Sequence, residues 1–180
     1  MHLKDRYCGA CVRFRCNPKS VGVVTKPLTI TEGGKERQDS VSNGAALCGD
    51  AEYIAVHDAA RPFITPEEIE TVCADAEKYG AATLAVPVKD TIKVAAADGT
   101  VCATPERSTL RAIQTPQVFR LSLYKEALCL AKNAGKQYTD DCQLIEAAGG
   151  KVYLTPGDYK NIKITTPEDL LVAEAFAAEK

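Results

Sequence analysis

From Val21 onward, short apolar segments alternate with longer stretches whose apolar residues recur every three or four positions. Residues 1–20 differ: they mix Cys, Arg, Asn17 and Pro18 with no helical or strand period. They read as an atypical N-terminal arm, with residues 21–180 as the folded domain. Leu28–Thr31 predicts a strand broken by Gly33-Gly34, and Ser40–Cys48 carries a modest helical pattern through Val41, Ala45 and Leu47. Tyr53–Val56 predicts a second strand, and its largely continuous apolar character suits a sheet covered on both faces.

The next helix is marked by chemistry as well as period. Thr65-Pro66-Glu67-Glu68 supplies an N-cap, a proline at the first helical position and an acid at the capping-box position. Ile69, Val72, Cys73 and Ala76 then follow the i, i+3, i+4, i+7 rule, and Gly80 closes the helix. Thr83–Val88 reads as a buried strand. Thr166-Pro167-Glu168-Asp169 repeats the same start signal for a last helix, with Leu170, Leu171, Val172 and Phe176 on a broad apolar side. Strands alternating with helices predict a three-layer α/β domain with a mainly parallel sheet.

Residues 89–113 break that rhythm. Thr91–Val94 and Val101–Thr104 read as strands around Asp98-Gly99, followed by another short strand over Leu110–Ile113. Asp-Gly between β-type segments is a hairpin signal. With few large apolar residues, such a hairpin has little core of its own, and it is expected to protrude and pack on another subunit.

Composition narrows the function classes. The chain has 180 residues, 26% of them charged, and a formal net charge of −2. That suits one domain, offers no basic excess for nucleic acid, and includes no apolar run long enough to span a bilayer. The N-terminus lacks the apolar centre of a signal peptide, so the expected location is cytoplasmic. The eight cysteines are then expected to be reduced. Cys73 and Cys129 are expected inside helices as small hydrophobes. Cys8-x-x-Cys11 lacks a second ligand pair at zinc spacing, and His2 and Cys16 complete it poorly.

The most informative stretch is His57-Asp58-Ala59-Ala60-Arg61-Pro62, where a predicted strand ends in an acid, two small residues and an arginine. Ligands of open α/β sheets sit at the carboxyl ends of strands. An aspartate there can hold a hard cation or accept from hydroxyls, and an arginine can clamp a phosphate. Taken alone, the same residues read equally well as a strand-end turn with a surface ion pair.

Other segments make the pattern specific. Glu32-Gly33-Gly34-Lys35-Glu36-Arg37-Gln38-Asp39-Ser40-Val41 comes before that strand, and Pro87-Val88-Lys89-Asp90-Thr91-Ile92-Lys93 opens the hairpin. Arg107, Gln114-Thr115-Pro116-Gln117, Thr139-Asp140-Asp141 and Asn161-Ile162-Lys163-Ile164-Thr165 follow. In this order and spacing the chain closely resembles the 2-C-methyl-D-erythritol 4-phosphate cytidylyltransferase family over about residues 26–176. The resemblance implies a Rossmann-like nucleotidyltransferase fold with a protruding hairpin arm. It also implies transfer of CMP from CTP to methylerythritol phosphate, with release of pyrophosphate, in non-mevalonate isoprenoid synthesis. Mg²⁺ or another divalent cation, and a homodimer joined through the arm, belong to the same expectation.

Site roles follow from that resemblance, position by position. Gly34 and Ser40 resemble the cytosine reader. Asp58 and Arg61 resemble ligands of the acceptor region, with Asp58 also the metal contact. Thr91, Arg107 and Thr115 resemble the residues that hold the acceptor phosphate, the arm residues serving the neighbouring subunit. Lys163 resembles the lysine that positions this phosphate; taken alone it reads as a solvated lysine on a strand edge. Arg107 and Lys163 are the expected catalytic cations. Asp140 and Asp141 read as the acidic start of a helix, with a metal pair as the alternative.

One departure stands out. The family opens with a strand and a glycine-rich loop carrying an arginine and a lysine around the triphosphate. Residues 1–20 offer only the isolated Gly9, with Arg13, Arg15 and Lys19 outside any such context. The expectation is therefore a domain lacking the first strand-loop-helix unit, with uncovered apolar faces and reduced or absent activity. A pentitol-phosphate cytidylyltransferase, a non-catalytic acceptor-binding or dimerisation module, and a zinc-binding arm on an inactive domain are the competing readings.

Overall fold

The computed structural model describes the backbone of residues 7–11 and the whole of residues 29–179. In chain order the elements are β1 (Tyr7–Cys11), α1 (Arg37–Ala46), β2 (Tyr53–His57), α2 (Pro66–Tyr79) and β3 (Ala81–Pro87). Next come β4 (Val94–Ala95), β5 (Val101–Ala103), β6 (Arg111–Arg120), α3 (Leu121–Asn133), α4 (Asp141–Ala147), β7 (Tyr153–Pro156) and α5 (Pro167–Ala178).

Five strands form one sheet in the order β1-β2-β6-β3-β7. β1 runs parallel to β2 and β7 parallel to β3, while β6 lies antiparallel between β2 and β3. Four strands thus share one direction and the central strand opposes them. On one face α2 covers Tyr53, Ala82, Leu84 and Val118 with its own Val72, Cys73 and Ala76. On the other, Ile54, Val56, Ala81 and Phe119 pack with Val41, Ala45, Leu121, Tyr124, Leu144 and Ile145 from α1, α3 and α4. Neighbouring residues such as Val118 and Phe119 belong to opposite cores because side chains alternate across a strand. This is the three-layer arrangement expected from the sequence.

The marked helix ends hold. Thr65 accepts from the Glu68 N–H, Gly80 closes α2 in the left-handed region at φ 86°, and Thr166 caps α5. Among the described residues, no helix is long and apolar enough to cross a membrane.

Several sequence expectations need correction. Thr29–Thr31 joins no ladder, and Ile30 is 56% exposed; an apolar residue without a pairing partner does not make a strand. The α1 helix starts at Arg37, ahead of Ser40, because Asp39 Oδ2 accepts the Glu36 N–H and fixes the first turn earlier. Tyr7–Cys11, within the segment that showed no strand period, lies in register against Tyr53–His57 and covers the edge of β2. A parallel ladder is built from backbone groups and asks little of side-chain pattern. The side chains of Cys8, Cys11, Cys16 and His2 lie outside the described residues. Cys73 is buried as expected, whereas Cys129 is exposed on α3.

The hairpin protrudes, but it is smaller than its pattern implied. β4 and β5 form a separate two-stranded sheet, every residue of which is exposed. Its turn spans Ala96–Gly99, with Gly99 at φ 85°. Of Leu110–Ile113, Arg111–Ile113 form the start of β6, a ten-residue central strand. The arm leaves the carboxyl end of β3 and re-enters at the start of antiparallel β6. Both ends of the arm, the end of β2 and the end of β7 therefore meet at one edge of the sheet, where the site forms.

A buried polar network fixes the helices around that edge. Asp141, 1% exposed, accepts from Arg37 Nη2 at 2.5 Å and from the Tyr124 hydroxyl at 2.6 Å, while its N–H donates to Gln117 Oε1. Burial pushes the Tyr124 phenol well up, so it remains a donor. Tyr124→Phe leaves one carboxylate oxygen of Asp141 without its donor. It is expected to lower stability by about 1.5–3 kcal/mol, read as a lower urea midpoint at unchanged slope.

Candidate active site

β2 delivers its last residues to the sheet edge, and a turn follows in which the Arg61 N–H donates to the Asp58 carbonyl at 2.9 Å. Asp58 Oδ2 lies 2.9 Å from Lys163 Nζ and 3.7 Å from Arg61 Nε. Both are ion pairs, the one with Lys163 the closer, and Arg61 Nε is buried with no hydrogen-bond partner among the described residues. Arg61 Nη1 instead donates to the Asn161 carbonyl at 2.7 Å. Burial lowers the Arg61 pKa, with the Asp58 charge opposing that shift, and the guanidinium stays charged.

The lysine arrives on the segment that follows β7. The Ile164 N–H donates to the Ala60 carbonyl at 2.9 Å, which stitches this segment to the turn. Asn161, 1% exposed, donates from Nδ2 to the Thr115 carbonyl at 3.0 Å. Gln114 Nε2 reaches the Asp158 carbonyl at 2.8 Å. Gly157 lets the chain pass here, since a Cβ would sit 2.4 Å from Gln114 Oε1. Thr115, on β6 next to a cis Pro116, accepts the Asp58 N–H at 2.9 Å and lies 3.0 Å from His57 Nδ1.

One carboxylate therefore faces two cations, leaving an excess positive charge at a half-open surface. The side chain of Lys163 is 46% exposed, against 18% for Asp58 and 12% for Arg61. The lysine can reach a ligand while the other two are held. This arrangement suits an anion such as a phosphate, with the carboxylate left to accept from hydroxyls.

The structure brings Asp58, Arg61, Thr115 and Lys163 together. Gly34 and Ser40 form a second locus at the start of α1: the Gly34 N–H donates to Ser40 Oγ at 2.9 Å, and that hydroxyl donates to the Glu36 carbonyl. A Cβ on Gly34 would fall 2.1 Å from Asp39 Cβ, so only glycine fits. Arg37, at the start of the same helix, is pinned to the buried Asp141. Thr91 and Arg107 stay on the arm, where Arg107 Nη1 donates to the Lys89 carbonyl. Among the described residues, neither shares a hydrogen bond or ion pair with the Asp58 cluster.

Asp140 caps α4 by accepting the Gln143 N–H, and Asp141 belongs to the buried network, so both follow the helix-start reading. No group of three or more His, Cys, Asp or Glu among the described residues could hold a metal. Asp58 Oδ1 has no partner among the described residues. It could serve a cation carried mainly by substrate phosphates, the usual mode for Mg²⁺. A hollow of about 440 Å³ runs beside Gly34, Lys35, Gln38 and Lys136. A second, of about 340 Å³, opens near Thr83, Asp140 and Cys142. Neither touches Asp58, whose site is defined by its charges rather than by enclosure.

Sequence reasoning assigned no role to His57, Asn161 or Arg37. Asn161 and Arg37 stood within the quoted motifs as polar residues with no pattern of their own, and only the burial of Asn161 and the contact of Arg37 with Asp141 reveal what they do. His57 was passed over as a strand-end residue.

An open α/β sheet with a charge-lined site at its strand ends is the architecture of enzymes that handle nucleotides and phosphates. Residues 17–179 match the 2-C-methyl-D-erythritol 4-phosphate cytidylyltransferase family, and the chain belongs to that family. The enzyme of that name from Bacillus cereus is 52% identical over 153 residues, covering 85% of this chain and 67% of its own length. Its Bacillus licheniformis counterpart is 53% identical over 155 residues, covering 86% of this chain and 67% of its own length. The crystal structure of the Thermus thermophilus cytidylyltransferase superposes with a TM-score of 0.77 at 34% identity, over 89% of this chain and 79% of that one. A 4-diphosphocytidyl-2C-methyl-D-erythritol synthase from Anaerococcus prevotii gives 0.76 at 35%, over 81% and 68%.

Burial lowers the pKa of His57 below the ordinary 6.5, more than neighbouring Asp58 and the Arg61 carbonyl raise it. The neutral ring's contribution to stability is then complete above that value and is lost as pH falls through the lowered pKa. Of the two imidazoles in the chain, one is expected to titrate below 6.5 in proton NMR and to vanish in His57→Asn. A His57 midpoint at or above 6.5 would contradict the assignment.

Proposed function

We propose that this chain transfers CMP from CTP to 2-C-methyl-D-erythritol 4-phosphate in the cytoplasm, releasing pyrophosphate. Family membership supports the reaction, and the observation that carries the site assignment is Asp58 held between Lys163 and Arg61 at the end of β2.

The chemistry needs little from acids or bases. An oxygen of the acceptor phosphate, already ionised near neutral pH, attacks the α-phosphorus of CTP; that P–O bond forms as the bond to pyrophosphate breaks. Rate comes from alignment and charge neutralisation. In this reading Lys163 and Arg61 hold the acceptor phosphate against the electrostatic repulsion of the triphosphate. Asp58 accepts from the acceptor's hydroxyls and offsets part of the repulsion between the two cations. Thr115 adds a hydroxyl to the phosphate side, and Gly34 and Ser40 offer the cytosine its backbone and hydroxyl groups. Asp58 Oδ1 would hold a divalent cation, which neutralises phosphate charge when bound.

Thr91 and Arg107 complete the acceptor side from the arm of a second copy. Support comes from the arm's composition: Val94 and Val101 are 47% and 60% exposed on a hairpin with no core. Sedimentation is expected to show a dimer, and Val101→Asp a monomer with an unchanged far-ultraviolet spectrum; a wild-type monomer would rule the arrangement out.

Labelled CTP, acceptor and Mg²⁺ test the reaction itself. Turnover is expected to fall about a hundredfold or more in Lys163→Gln, the scale of losing one electrostatic contact to the reacting phosphate. Equal rates in wild type and variant would remove Lys163 from the mechanism, and failure to form any cytidyl product would refute the proposed reaction for this chain.

A further inference from the structure

His57 sits beside the site yet has no part in the chemistry just described. Its Nε2 lies 3.2 Å from the Arg61 carbonyl, an acceptor only, so that nitrogen carries the hydrogen. Nδ1 is then an acceptor, and Thr115 Oγ1 at 3.0 Å donates to it. The same hydroxyl oxygen accepts the Asp58 N–H at 2.9 Å, and the Arg61 N–H donates to the Asp58 carbonyl at 2.9 Å. These contacts close a ring through His57, Thr115, Asp58 and Arg61. The turn that carries both charged residues is tied at its start to β6 and at its end to the imidazole.

We propose that His57 is a positioning residue: its two ring nitrogens hold the Thr115 hydroxyl and the Arg61 carbonyl, and so set the geometry of the acceptor side. This rests on the cytidylyl-transfer reading for its functional part alone. Thr115 is 4% exposed, and the hydroxyl proton it would offer a phosphate is the one it gives to His57. The imidazole therefore also sets which way that hydroxyl points before the acceptor arrives. Among the described residues, nothing in the ring of contacts bonds to Gly34 or Ser40, so its loss acts on the acceptor and leaves the base reader untouched.

Three variants separate this from general packing. His57→Phe keeps a ring and removes both hydrogen bonds, His57→Asn restores a partner near the Nδ1 position, and His57→Gln restores one near Nε2. In His57→Phe the Asp58 amide is expected to exchange with deuterium about tenfold faster, the scale of one ordinary hydrogen bond. The KM for the acceptor should rise by a similar factor while the KM for CTP stays put, with partial rescue in His57→Asn. Unchanged Asp58 exchange in His57→Phe, or equal loss for both substrates in every variant, would overturn the proposal. If the wild-type chain turns over no acceptor, the proposed reaction falls, while amide exchange still decides whether His57 positions the turn.

Discussion

The contact between Lys163 and Asp58 is the interaction on which the candidate site depends. It joins a turn after the second strand of the sheet to a segment that follows the last one, two pieces of chain far apart in sequence. A pair with one partner this open to water contributes little to stability, and Lys163, at 46% exposure, is no structural staple. Its value is in placement. Asp58 is held by backbone and by Thr115, so the lysine that reaches it stands at a fixed point while keeping room to meet an anion. With Arg61 Nε 3.7 Å from the same oxygen, one carboxylate organises two cations that would otherwise repel each other.

The fold makes this possible through β6. As the reversed strand at the centre of the sheet, it begins where its neighbours end. Its early residues, Gln114 and Thr115, lie among the turns that bear the charges. A little further along, Gln117 binds the Asp141 N–H and so anchors the buried network that holds Arg37. One strand thereby fixes both the acceptor turn and the start of α1, where Gly34 and Ser40 sit. The arm branches from the same edge, so an element without a core still departs from the most constrained part of the molecule.

Much of this was legible in the sequence, for reasons that differ between elements. The α2 and α5 starts were readable because capping boxes are local: Thr65 with Glu68, and Thr166 with Asp169, need no distant partner. Asp58 and Arg61 were readable as a strand end, but the approach of Lys163 was not, since no periodicity joins two loops; only the ordered set of motifs implied it. The length of β6 was hidden by buried polar residues, Gln114, Thr115 and Gln117, whose hydrogen bonds replace apolar contacts. Thr29–Thr31 misled because a β-type composition does not supply a ladder partner. Tyr7–Cys11 went unseen because it gains its place from the backbone of β2. The chain spans 67% of the length of the Bacillus cereus relative, so the comparison bears on that shared part.

A double-mutant cycle between Asp58 and Lys163, read as calorimetric affinity for 2-C-methyl-D-erythritol 4-phosphate, tests the central claim most directly. Asp58→Asn, Lys163→Gln and the double variant are each compared with the wild-type chain. If the carboxylate sets the lysine for the phosphate, the two losses will not add: with Lys163 gone, removing the charge of Asp58 will change affinity by much less than it does in the wild type. Strict additivity, or binding indifferent to both substitutions, would show that the pair is a surface contact and that the acceptor binds elsewhere.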